Sequence, residues 1–281
     1  MGVAPPRRGP RPRGRLRFAR RVVIATWTDP RWLDEAHGWV RDHVAPAGPI
    51  EQPHLRPWST VLRVPTAEGT LFFKANAPAT RHEAVMLEVL ARRAPGFLPE
   101  LVALDGDRGW LLLRDAGTRL RERPSAASWA AVLDQYADLQ AAAAPSADAL
   151  VAAGVPDRRL AVLPELYERL GGDRDVADEL CEQLRAFGLP ETIQHDDLHD
   201  GQVFLRDGHM RLLDWGDACV SHPFMTLAIT AGIAGDDAVD AYLARWGDSA
   251  RLRTAVAPAQ RLAGVTRALQ WRAVLADAPR Q

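Results

Sequence analysis

Lysine is nearly missing from this 281-residue chain: its 35 lysines and arginines are all arginine except Lys74. Where arginine is the default cation, a lone lysine asks for a chemical reason. Lysine offers a compact ammonium on a flexible stem in place of a wide planar fork, and the grip on nucleotide phosphates is one chemistry that favours the compact form. A leftover surface residue fits the composition equally well. Cysteine is scarce too, with Cys181 and Cys219 in no local motif, which argues against a disulfide framework or a zinc ribbon and for a reducing cytoplasm. No apolar run approaches the roughly 18 residues that span a bilayer, and the arginine-rich start has no apolar signal core, so no membrane partner is expected.

Acidic side chains are absent from residues 1–21, which hold eight arginines. The whole chain carries a net charge of −1, so the remainder sits near −9 once those eight charges are set aside. The arm over residues 1–21 is also rich in proline and glycine, and is expected to be disordered. Without interleaved aromatics it implies no specific nucleic-acid partner. The acidic body favours a cationic small molecule as partner. With 47% hydrophobic and 25% charged residues the composition is that of a globular protein holding one large or two modest domains.

Thr28-Asp29-Pro30 caps an amphipathic helix expected over 30–44. Thr60 to Val64, the turn Ala67-Glu68-Gly69, and Leu71 to Ala75 read as an antiparallel hairpin with Lys74 on its second strand. A helix over 79–93 and short strands at 101–104 and 110–114 complete a small sheet lobe. After Asp115-Ala116-Gly117 the pattern turns helical, over 126–143, 156–170 and 174–187, and again in a tail to about 278. One interruption, 192–218, holds two short strands around the turn Asp207-Gly208.

That interruption carries the chemistry: His195-Asp196-Asp197-Leu198-His199-Asp200-Gly201-Gln202, followed by Asp214-Trp215-Gly216-Asp217. His195, Asp197 and His199 have the alternating spacing of a zinc hydrolase site, with His209 and His222 as further ligands, and a polar surface loop is the bland alternative. Phosphoryl transfer accounts for more of the residues. It needs a carboxylate to take or orient a hydroxyl proton, an oxygen ligand a few residues on for magnesium, and a second carboxylate for metal at the phosphates. Asp197, Gln202 and Asp214 have that order, with Lys74 for the phosphates and Glu83 on the following helix to hold it.

In these motifs, together with Trp110 to Gly117, the chain resembles the aminoglycoside phosphotransferase and choline kinase-like group, relatives of protein kinases, over about residues 22–281. The resemblance implies an α+β, two-lobed protein-kinase-like fold: a nucleotide-binding N-lobe over 22–115 with a small antiparallel sheet, and a larger, mostly helical C-lobe over 116–281. It implies an ATP-dependent enzyme, with GTP open as donor, using Mg2+ to phosphorylate a hydroxyl of a small cationic acceptor such as an amino sugar, aminoglycoside or amino alcohol. Asp197 would be the base, Asp214 and Gln202 the metal ligands, and Lys74 and Glu83 the phosphate-binding pair. Backbone around Arg114 and Ala116 would read the adenine edge, and His195 would brace the loop.

Two departures stand out. Gln202 replaces the family's usual asparagine, which keeps the ligand type and lengthens its reach. No glycine-rich phosphate loop is present, which leaves Ser59 and Thr60 to bind phosphate through hydroxyls and backbone N–H groups. Asp200, Asp217, Asp236, Asp237 and Asp240 are candidates for an acceptor's ammonium, and Trp246 and Trp271 for a cation–π wall. A nucleotide-binding pseudokinase and, third, a metal-dependent hydrolase are the rival readings; monomer and dimer are both open.

Overall fold

The computed structural model describes residues 26–124 and 127–276. The expected arm, residues 1–21, lies outside them. Helix α1 (Pro30–His43) begins where the Asp29 carboxylate accepts hydrogen bonds from the N–H groups of Arg31 and Trp32, with Pro30 in the first turn. Strands β1 (Glu51–Leu55), β2 (Ser59–Thr66), β3 (Gly69–Asn76), β4 (Leu101–Asp105) and β5 (Trp110–Arg114) form one antiparallel sheet in the order β1-β2-β3-β5-β4. Helix α2 (His82–Arg93) lies between β3 and β4 in sequence.

Side-chain alternation sorts the sheet's two faces. On one face Leu71, Phe73 and Ala75 of β3 join Trp110 and Leu112 of β5 in a cluster with Ala36, Trp39 and Val40 of α1. Leu111 and Leu113 belong to the opposite face, where they pack with Met86, Leu87 and Leu90 of α2. Lys74, between Phe73 and Ala75, follows the second parity. One apolar cluster then runs from α2 without a break into the helical lobe.

That lobe contains β6 (Thr118–Arg119), α3 (Trp129–Ala143), α4 (Ala147–Ala152), α5 (Leu163–Arg169), α6 (Arg174–Arg185), β7 (Thr192–Gln194), β8 (Val203–Arg206), β9 (His209–Leu212), β10 (Cys219–Ser221), α7 (Leu227–Ala234), α8 (Asp236–Ala244), α9 (Ser249–Leu252) and α10 (Val256–Ala276). Within it β6, β8 and β9 make one small sheet, and β7 pairs with β10. The helix expected over 156–170 is confined to α5. Residues just before it are held extended: the Val220 N–H donates to Pro156 O at 3.0 Å, and the Arg158 N–H donates to Val220 O at 2.9 Å. Strand β1 was hidden by Pro53, which an edge strand tolerates because its missing N–H need not face a partner. No helix among the described residues is long and apolar enough to cross a membrane.

Candidate active site

The register sets Lys74 opposite Val61 on β2 and Leu111 on β5. Its Nζ lies 2.9 Å from Glu83 Oε1, 2.6 Å from Glu83 Oε2 and 2.7 Å from Asp214 Oδ1. Glu83 sits in the first turn of α2, where the helix N-terminus favours a carboxylate, and is fully buried. Burial by itself would lower the lysine's pKa, but Asp214 and Glu83 reverse that and hold it above the ordinary value. Burial would likewise raise Asp214, and the Lys74 ammonium overrides it, keeping that carboxyl at about 2. Glu83 is pushed upward by its own burial, with Lys74 as the opposing influence. One ammonium between two carboxylates leaves this corner ready for a metal cation on the side of Asp214, whose side chain is 42% exposed.

The hairpin of β8 and β9 explains why distant motifs meet. Val203 pairs with Leu212, and the Leu213 N–H donates to Gln202 O at 3.1 Å, so residues 202 and 214 fall side by side. Asp214 adopts φ 67° and ψ 57°, a left-handed conformation uncommon for a side chain with a Cβ. The turn is held from below: the Trp215 N–H donates to Glu83 Oε1 at 3.1 Å, and its buried indole packs 4.7 Å from the His195 ring. Gln202 Nε2 donates to Asp214 Oδ2 at 3.2 Å and reaches Asp197 Oδ2 at 3.5 Å. The longer amide therefore reaches the Asp214 carboxylate, and turning it over presents its oxygen in the same place. One carboxylate and one amide suit magnesium, which takes its remaining ligands from phosphates and water.

His195 is buried and donates from Nε2 to Leu213 O at 2.8 Å, while its own N–H donates to the Tyr136 hydroxyl at 3.0 Å. Burial holds its pKa below the ordinary value, so it stays neutral, a brace between the two loops. It does not converge with Asp197 and His199 on a common point. Among the described residues no three His, Cys, Asp or Glu side chains are grouped to hold a metal ion. His199 accepts at Nδ1 from the Gly201 N–H at 2.9 Å, so its proton is on Nε2, 3.4 Å from Asp197 Oδ2.

A cavity of about 530 Å³ separates the lobes, with Val61 and Phe72 above, Phe204 and Leu212 below, and Lys74 and Asp214 at the back. Its size and apolar walls suit a nucleoside with its phosphates. Ser59, Arg114 and Ala116 line it as well. Thr60 does not: its hydroxyl donates to His54 O at 2.8 Å and accepts from Gln52 Nε2 at 2.9 Å, within the sheet. The Arg114 side chain is tied to Glu100 and Glu68 at 2.9 and 3.2 Å, which leaves its backbone at the lobe junction. His54 lines the cavity unforeseen, because its proline-rich surroundings do not read as a strand.

Three of the five acids expected to face an ammonium pair with arginines. Asp200 pairs with Arg121 at 2.8 Å, and Asp236 and Asp240 pair with Arg253 at 3.2 and 2.6 Å. Trp246 packs into the core beside Phe224 and Tyr242. Trp271 is 46% exposed and meets Trp58 edge-on at 5.8 Å. Asp217 is pushed up to about 6 by burial and by the charges of Asp214 and Asp197. Arg267, which no local pattern singles out, reaches from α10 to within 3.6 Å of Asp197.

Residues 50–259 match the sequence pattern of a phosphotransferase enzyme family. No curated protein sequence matches the chain. Among solved structures it is similar to a macrolide 2′-phosphotransferase type I, with 15% identity and a TM-score of 0.58 over 90% of this chain and 99% of that one. Choline kinase LicA from Streptococcus pneumoniae aligns with 13% identity and a TM-score of 0.59 over 89% and 92% of the two chains. An ethanolamine kinase from Plasmodium vivax aligns with 10% identity and a TM-score of 0.59 over 86% and 81%. At these identities the likeness is one of fold, the two-lobed kinase-like architecture expected from the motifs.

Proposed function

The chain belongs to the phosphotransferase enzyme family, and from that premise we propose that it moves the γ-phosphoryl group of ATP to a hydroxyl of a small molecule. The observation that carries this reading is the Lys74–Glu83–Asp214 cluster at the back of a nucleotide-sized cleft, joined through Gln202 to Asp197. GTP would meet the same phosphate-binding groups. Backbone at Arg114 and Ala116 would read the base edge, although the Arg114 N–H donates to Glu100 O, and the Ser59 hydroxyl would meet the phosphates; all three residues line the cavity.

The residues divide the work by position. Lys74 gives the phosphates a fixed positive partner, and Glu83, anchored by the Trp215 N–H, keeps that ammonium from swinging away. Asp214 and Gln202 would hold Mg2+, which supplies charge neutralisation across the phosphates when bound. Asp197 orients the acceptor hydroxyl and takes its proton as the oxygen attacks. Its Oδ2 is steadied by His199 and Gln202 at 3.4 and 3.5 Å, so the carboxylate is preorganised. Asp200 is already paired with Arg121, and this reading extends to a small-molecule hydroxyl.

Two isosteric variants test the assignment. Asp197→Asn is expected to cut turnover about 1000-fold or more while Mg·ATP affinity stays near wild type. Asp214→Asn is expected to lose the metal dependence of nucleotide binding. Acceptor-dependent ADP release and titration calorimetry of ATP with and without Mg2+ report the two separately, and near-wild-type behaviour of both variants would sink the assignment.

A further inference from the structure

The two oxygens of Asp197 have different surroundings. Oδ2 faces His199 and Gln202, on the side of the metal ligands. Oδ1 faces Arg267 Nη1 at 3.6 Å, an ion pair too long for a hydrogen bond. Arg267 makes one hydrogen bond, from Nη1 to the carbonyl of Asp196, and its other N–H groups have no acceptor among the described residues. Its side chain is 35% exposed. A guanidinium with unused donors beside the base of a hydroxyl-directed reaction is a built anion receptor.

The surroundings agree. Helix α10 has no Asp or Glu anywhere in its length. Asp200, the acid next along the catalytic loop, is already matched by Arg121. Asp217 lies in the field of Asp214, Asp197, Arg267 and Lys74. An ammonium brought to Oδ1 would meet the Arg267 guanidinium head-on, a like-charge contact that selects against it. Trp271 is one turn beyond Arg267 on the same helix face and exposes an indole to solvent.

We infer that the acceptor is a hydroxylated anion, with a carboxylate or phosphate close to the reacting hydroxyl, received by Arg267, and an apolar portion covered by Trp271. This rests on the phosphotransferase reading above and narrows its substrate class. In the transfer the acceptor oxygen bonds to the γ-phosphorus, the bridging oxygen departs with ADP, and the hydroxyl proton passes to Asp197. Arg267 specifies the acceptor, and by bonding the Asp196 carbonyl it also fixes where the base stands.

The test is ADP release with Mg·ATP against four sets of acceptors: hydroxycarboxylates such as glycerate and gluconate, hydroxyl-bearing phosphates such as glycerol 3-phosphate, amines such as choline and glucosamine, and neutral polyols. Turnover is expected to favour one of the two anionic sets, which also separates carboxylate from phosphate. Arg267→Ala is expected to raise the acceptor KM at least about 10-fold, with Mg·ATP affinity unchanged, and Arg267→Lys to restore part of it. Preference for amines or neutral polyols, or an unchanged acceptor KM in Arg267→Ala, overturns the inference and leaves the phosphotransferase reading standing. No turnover with any set, despite Mg·ATP binding, overturns both.

Discussion

A guanidinium cannot take the place of the Lys74 ammonium without moving its partners. Nζ makes contacts of 2.6 to 2.9 Å with two carboxylates in a slot where the lysine side chain is 12% exposed and that of Glu83 2%. Arginine is wider, and its charge is spread over a plane, so either Glu83 or Asp214 must shift. A displacement of about 1 Å at reacting groups costs roughly 100-fold in rate. Lys74→Arg is therefore expected to lower kcat/KM by about 100-fold or more in steady-state assays. Because Glu83 keeps a counter-ion, the variant should still fold and melt cooperatively. Undiminished transfer would reduce the lone lysine to an accident of composition. Glu83 and Trp215 show what surrounds such a residue: the carboxylate that holds the lysine is itself held by a backbone N–H 132 positions further along the chain.

At the scale of elements, the junction between the lobes depends on one backbone conformation. Gly117 has φ 101°, and a Cβ there would come within 2.3 Å of Leu205 O on β8. The next residue, Thr118, pairs with Leu205, so any retreat drags the β6–β8 contact and Gln202 with it. Gly117→Ala is expected to destabilise the protein by about 2–4 kcal/mol in urea denaturation and to weaken nucleotide binding. A change under about 0.5 kcal/mol would show that the junction yields freely. Strong local signals made several elements legible: the Asp29-Pro30 cap of α1, the β2–β3 hairpin, α2, and the two loops carrying Asp197 and Asp214. Elements set by partners were not. Strands β7 and β10 are three residues each and exist because they pair with one another. The segment before α5 has helical composition but gives its hydrogen bonds to Val220. Thr60 looks like a phosphate ligand until the sheet claims its hydroxyl, and Arg267 lies 70 residues beyond Asp197 with nothing in its neighbours to mark it.

For the whole molecule, buried titratable groups pull stability in opposite directions with pH. Burial lowers His82 to about 4 and His222 to about 3, and lowers His195 as well. Below the unfolded value near 6.5 the unfolded chain binds protons that these folded histidines refuse, so they remove stability as pH falls. Asp196 works the other way. Burial raises it to about 7, against an opposing hydrogen bond from Thr266 and the charge of Arg267, so the folded state holds a proton that the unfolded chain releases above about 3.8. Its contribution is present in acid and is lost as pH rises from about 4 towards 7; Asp217, raised to about 6, follows the same sign. The two sets overlap between about pH 4 and 6.5, and there the stability of the wild type is expected to vary little. Asp196→Asn keeps the shape and tolerates the residue's φ of 57°, but cannot titrate. Removing one proton from the folded side steepens the rise of stability with pH by up to about 1.4 kcal/mol per pH unit. Denaturant titrations of both proteins at pH 5 and 7 should therefore show the variant gaining on wild type by about 2–3 kcal/mol between those values. Parallel curves would mean that Asp196 is ionised in the folded protein, with Arg267 as its counter-ion. In that event the guanidinium would be spoken for, and the acceptor's charge would have to be decided by kinetics alone.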